Sequence, residues 1–160
     1  MIKLHFTTGH TLEVRGDTLE GVDLSDYELH RVDLSNRSLK SATLDRANLR
    51  SAALAGADLS DCSLVEAALM AADLRSATLR GSDLARAKLN GADLTNADLS
   101  GASLQDADLG GARLEGANLL GADLRSRRLE LARLNDARAD SETQWPDDFD
   151  PASAGVRFEA

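Results

Sequence analysis

Gly91-Ala92-Asp93-Leu94-Thr95-Asn96-Ala97-Asp98-Leu99-Ser100 is one five-residue unit written twice, with Ala second, Asp third and Leu fourth. Outward from here the register holds without interruption from Gly16 to Asn135, giving 24 units with leucine at the fourth position of each, Leu19 to Leu134. Two positions before the leucine the residue is Ala in 16 units, and the residue between them is Asp, Asn, Ser or Thr in 17. Self-similarity at a fixed period marks an architecture in which neighbouring units bury together what one unit cannot bury alone.

A period of five fits neither regular element. On an α-helix five residues advance about 140° past a full turn, so the leucines would visit every face and leave no apolar stripe. Along a straight strand, Ala and Leu of one unit would point opposite to those of the next. A corner in every unit removes the conflict, because the chain then bends repeatedly around a core made of these residues.

Composition agrees with such a core. Of 160 residues 42% are hydrophobic but only 3% aromatic, so the core is aliphatic and layered. Each buried leucine contributes roughly 2 kcal/mol before chain entropy is subtracted. The one cysteine, Cys62, occupies the Ala slot and reads as a small core residue; no disulfide within the chain is possible, which suits a reducing compartment. Met1 to Phe6 lacks the long apolar run of a signal peptide, and no stretch approaches a membrane span, so a cytoplasmic location without membrane association is expected. The net charge of −9 argues against direct nucleic-acid binding and permits basic partners.

At the N-terminus, Ile2-Lys3-Leu4-His5-Phe6 and Thr11-Leu12-Glu13-Val14 alternate like strands around Thr7-Thr8-Gly9-His10, a hairpin signal. Residues 1–15 are therefore expected to form an N-terminal cap, 16–135 the repeat body and 136–160 a C-terminal cap or tail. In that tail both prolines, the single tryptophan Trp145 and Phe149 follow the last regular leucine. Proline ends a ladder by removing donors, while Trp145 and Phe149 are large enough to cover the last leucine layer.

These uninterrupted Ala-Asp-Leu units resemble the pentapeptide-repeat proteins, and the match covers about three quarters of the chain. The resemblance implies an all-β fold, a right-handed quadrilateral β-helix with four units per coil and about six coils. A Trp-Pro-x-x-Phe-Asp-Pro tail is also similar to tails on other members. Charge sorted at 20 residues supports the four-sided coil. The Leu29 face carries Asp26 and Glu28, then Arg46 and Arg50, then Glu66, then Arg86 and Lys88, so its sign alternates from coil to coil. On the same spacing Asp17 and Arg37 are expected to stack as a pair, and Arg127 to interrupt the inward slot in the last coil.

The face of Leu24, Leu44, Leu64 and Leu84 differs. It carries Asp23, Asp45, Asp61 and Asp83 with no basic residue before Arg125, which makes it the candidate partner-binding face. Nothing in the sequence suggests catalysis: there is no Gly-rich phosphate loop, no metal-spaced His or Cys cluster and no nucleophile elbow. His5 and His10 lack partners for a metal and read as solvated hairpin residues. The expectation is a protein that is not an enzyme, needs no cofactor, and binds another protein as a monomer or end-to-end homodimer. The resemblance adds an alternative, because some members bind DNA gyrase and related type II topoisomerases as mimics of duplex DNA and protect them from poisons such as quinolones. Here Asp23, Asp45, Asp61 and Asp83 would be the contact. The repeats, however, carry no inserted loop and the tail no long amphipathic helix.

Overall fold

In the computed structural model, which describes residues 1–160, the third residue of each unit from Asp23 to Asn118, Asp108 apart, pairs in parallel with the residue 20 positions on. One ladder runs Asp23, Thr43, Ser63, Asp83, Ser103, Asp123, and companion ladders start at Glu28, Asp33 and Ser38. Backbone bonds close each rung on both sides. On the Asp23 ladder, Leu64 N–H donates to the Asp83 carbonyl at 2.7 Å and Asp83 N–H to the Cys62 carbonyl at 2.9 Å. The fold is an all-β solenoid.

Between rungs the corners share one geometry. Each repeat leucine carbonyl except that of Leu124 accepts from the N–H three residues on, as Leu44 does from Ala47 at 3.1 Å. The first residue of the unit, third in that turn, has positive φ: +65° at Gly91, +55° at Ala71 and +57° at Arg86. Positive φ at this position defines a type II turn and favours glycine. An L-residue held there costs about 1–2 kcal/mol, so the stacked ladder overrides local preference at every non-glycine corner.

Inside, every repeat leucine is buried, together with the small residues of the slot from Ala42 to Ala122, Cys62 and Ser82 included. Cys62 Sγ donates to the Leu39 carbonyl at 3.0 Å, and burial pushes its thiol pKa up to about 11. It is a core residue and a poor nucleophile at neutral pH.

At the N-terminal end β1 (Ile2–Phe6) and β2 (Thr11–Val14) form an antiparallel hairpin, and β1 also pairs antiparallel with β3 (Val32–Asp33). Leu4, Phe6 and Val14 are buried beneath it. The hairpin covers one side of the opening only, so Tyr27, in the inward slot, stays 42% exposed. Asp17 and Arg37 do not pair: both are exposed, and the ladder on their face begins at Ser38, so no rung holds one over the other.

The C-terminal end breaks register. Asp108 pairs with Arg127, 19 residues on rather than 20, and Arg127 N–H donates to the Ala107 carbonyl at 2.8 Å. Arg127 therefore takes the outward third place and Ser126 the small slot, which corrects the inward position expected for Arg127. Burying an unpaired guanidinium would cost more than the slip. The residue lost at the Leu124 corner is regained at Arg128, φ +57°, before a single 3-10 turn at Leu129–Leu131. Stacking continues past the five-residue motif. Asn118 pairs with Arg138, Asp123 with Gln144, and β4 (Arg138–Ala139) runs parallel to β5 (Arg157–Phe158).

Candidate partner-binding face

Asp23 and Asp83 occupy the same ladder, three rungs apart, or about 14 Å at the usual spacing between strands. Asp45 and Asp61 do not share that ladder. Asp45 is the second residue of the corner after Leu44, whereas Asp61, φ +57°, is the third residue of the corner after Leu59. The four carboxylates therefore belong to a strand column and to the corners on either side of it.

Each has a different local environment. Asp23 Oδ1 accepts from the Ser25 hydroxyl at 2.6 Å and the Ser25 N–H at 2.9 Å, and these bonds, the hydroxyl first, hold its carboxyl below the usual range. Asp45 accepts from the Ser63 hydroxyl at 2.5 Å and Val65 N–H at 3.0 Å, tying it to the next coil. Asp83 accepts from Ala85 N–H at 2.9 Å. Asp61 lines an open polar recess with Lys40, Arg80 and Ser100, so basic side chains interrupt the acidic face at that corner. Sequence sorting by unit missed this because residues 40 and 80 belong to the preceding unit but share the corner.

None of the four enters an ion pair, although Asp123, farther along the same ladder, pairs with Arg125 at 2.6 Å; several carboxylates on other faces are paired. Arg46 bonds Asp26 through two nitrogens at 2.8 Å each, and Arg86 reaches Glu66 at 3.0 Å, both between adjacent coils. On the Leu34 face Asp73 holds Arg75 at 2.7 Å and Asp93 holds Arg113 at 3.2 Å. Such exposed pairs are worth about 0–1 kcal/mol each, and they cancel the field of their faces.

One pair is different. Asp108, its side chain only 10% exposed, accepts from Arg128 Nε at 2.8 Å, from the Arg128 terminal nitrogen and from Gly110 N–H at 3.1 Å. The Arg128 hydrogen bonds hold its carboxyl far below the usual range. Gly110 makes this possible, since a Cβ there would lie 3.0 Å from the Arg128 guanidinium carbon. The pair fastens the coil in which register slips.

In the tail, the Trp145 and Phe149 rings stack with centroids 5.5 Å apart at 19°, half-buried against the core. At the other end His10 stacks on Phe6 and its Nδ1 lies 2.8 Å from the Thr8 hydroxyl. No group of three or more His, Cys, Asp or Glu side chains is placed to hold a metal ion, and no helix is long and apolar enough to cross a membrane.

A family model described as pentapeptide repeats matches residues 28–64, 62–106 and 102–138 in eight copies, over half the chain. The chain belongs to the pentapeptide-repeat family. Among solved structures it is similar to a pentapeptide-repeat protein, Rfr23, from the cyanobacterium Cyanothece 51142, with 30% identity, 80% of this chain and 87% of that one covered, and a TM-score of 0.55. It is also similar to a trypsin-treated variant of QnrB1, a plasmid-mediated fluoroquinolone resistance protein, with 19% identity, coverage of 88% and 66% and a TM-score of 0.67. That second likeness is one of fold. No curated protein matches the chain in sequence.

Proposed function

We propose that this pentapeptide-repeat protein is a non-catalytic, cytoplasmic interaction module, a right-handed quadrilateral β-helix of about six coils that binds another protein along its outer faces. Residues 1–15 cap one end, 16–135 form the helix and 136–160 close the other. The observation that carries the reading is the fixed spacing of the outward side chains. Parallel rungs set them 20 residues apart in sequence and about 5 Å apart in space, a pre-ordered surface that loses little entropy on docking.

A second reading makes that partner DNA gyrase or a related type II topoisomerase, bound by mimicry of duplex DNA and protected from poisons such as quinolones. One observation favours it: Asp23, Asp45, Asp61 and Asp83 enter no ion pair, so their face keeps a negative field, interrupted by Lys40 and Arg80 at the Asp61 corner. The test is gyrase supercoiling with the purified protein, with and without a fluoroquinolone, at low and high salt. Salt-sensitive inhibition, or rescue from the drug, that weakens when all four aspartates become asparagine supports mimicry. No effect at micromolar protein removes gyrase and leaves the module, whose partner is then captured by cross-linking from each face in turn.

A further inference from the structure

The register slip leaves a recess between the last regular coil and the tail. Ser126, Leu129, Glu130, Pro146, Asp148 and Phe149 line a cavity of about 250 Å3. Leu129 is a buried core leucine, Phe149 is braced by its stack on Trp145, and Leu131, beside Glu130, is 57% exposed. Small-molecule sites usually enclose roughly 300–1,000 Å3, so this recess suits a single large side chain rather than a cofactor.

Its rim is acidic. Glu130 and Asp148 are exposed and enter no ion pair, Asp147 precedes Asp148, and Asp150 follows Phe149. Of the arginines flanking the recess in sequence, Arg125 pairs with Asp123 at 2.6 Å, while Arg128 and, at 3.5 Å, Arg127 share Asp108. Both arginines of the tail are engaged too, Arg138 with Glu159 at 3.1 Å and Arg157 with Asp136 at 2.5 Å. An apolar floor inside a net acidic rim selects an apolar anchor flanked by cations. A second copy of the chain is a poor occupant, since it would bring a net charge of −9 against that rim.

We propose that this recess is a docking site for a lysine- or arginine-rich segment of a partner protein, anchored by one large apolar side chain. The site shares no residue with the Asp23 face, so failure of either is seen separately. Trp145, the only tryptophan, reports on it through Phe149. The full chain is titrated with three capped nine-residue peptides: lysine-rich with a central Phe, lysine-rich with a central Ala, and glutamate-rich with a central Phe. The first should saturate a change in Trp145 fluorescence, the second should bind about tenfold more weakly, and the third should not bind. Glu130→Lys with Asp148→Lys, at exposed positions, should weaken the first peptide at least about tenfold while the melting curve is retained. Four results would overturn the proposal. These are no saturable change at about millimolar peptide, equal binding of the Phe and Ala peptides, indifference to the double substitution, or sedimentation showing a dimer that the double substitution dissociates.

Discussion

The coils between Ala42 and Ala122 and the end beyond Leu124 are built from the same ladder, yet they spend their residues differently. In the middle, the inward slots hold almost only Ala and Leu, every corner repeats one turn, and each rung is the copy of the last. Beyond Leu124 a residue is dropped and regained, a guanidinium is clamped by a nearly buried carboxylate, and stacked aromatic rings pack against the core. Uniform repetition yields stability by nearest-neighbour addition but makes every rung alike. At the other end the hairpin interrupts repetition and leaves Tyr27 42% exposed.

The strongest way to sharpen this contrast is a pair of leucines. Leu84→Ala in the middle should cost about 2–5 kcal/mol, because the closed rungs above and below cannot collapse into the cavity. Leu131→Ala, 57% exposed beyond the slip, should stay within about 0.5 kcal/mol. Chemical denaturation of the two variants measures both, and equal losses would break the comparison.

Next comes the clamp. Asp108→Asn should cost about 2 kcal/mol at neutral pH by replacing charge-assisted bonds to Arg128 with neutral ones. The sign with pH follows from a carboxyl held below its unfolded value. Its contribution is complete above the ordinary aspartate pKa of about 4, declines as pH falls below that value, and is gone only when Asp108 itself protonates in the folded state. Melting curves of the two proteins should therefore converge as acid is added, whereas a difference that grew in acid would contradict the assignment.

Corners give a smaller effect. At Gly91 a Cβ would meet nothing within 4 Å, so Gly91→Ala isolates backbone strain and should cost about 1 kcal/mol. Ala71→Gly should differ from it in sign or be near neutral, since relief of the positive φ is offset by a freer unfolded chain. Smallest is the exposed Asp26–Arg46 pair, for which a double-mutant cycle should give less than about 1 kcal/mol, falling with salt.

The leucine register made the solenoid legible, because a period of five forces corners wherever Ala and Leu must face inward. Harder to read was where corner residues sit. Asp61 belongs to one unit by sequence but meets Lys40 and Arg80 across the corner, so sorting charges by unit overstated the acidic face. The slip at Arg127 had a sequence signal, an arginine in a slot reserved for small residues, but its resolution depended on Gly110 leaving room for the next arginine one coil away. Asp17 and Arg37 failed to pair because spacing predicts stacking only where a rung exists, and the first coil is incomplete on that side.

Residue-resolved hydrogen exchange of the native chain tests the division between a uniform scaffold and a distinct end most directly. The ladder amides between Ala42 and Ala122 should exchange together, at the free energy of global unfolding, while those from Leu124 onward open separately at a lower one. Equal protection from Leu24 to Phe158, or earlier opening in the middle coils, would contradict the account.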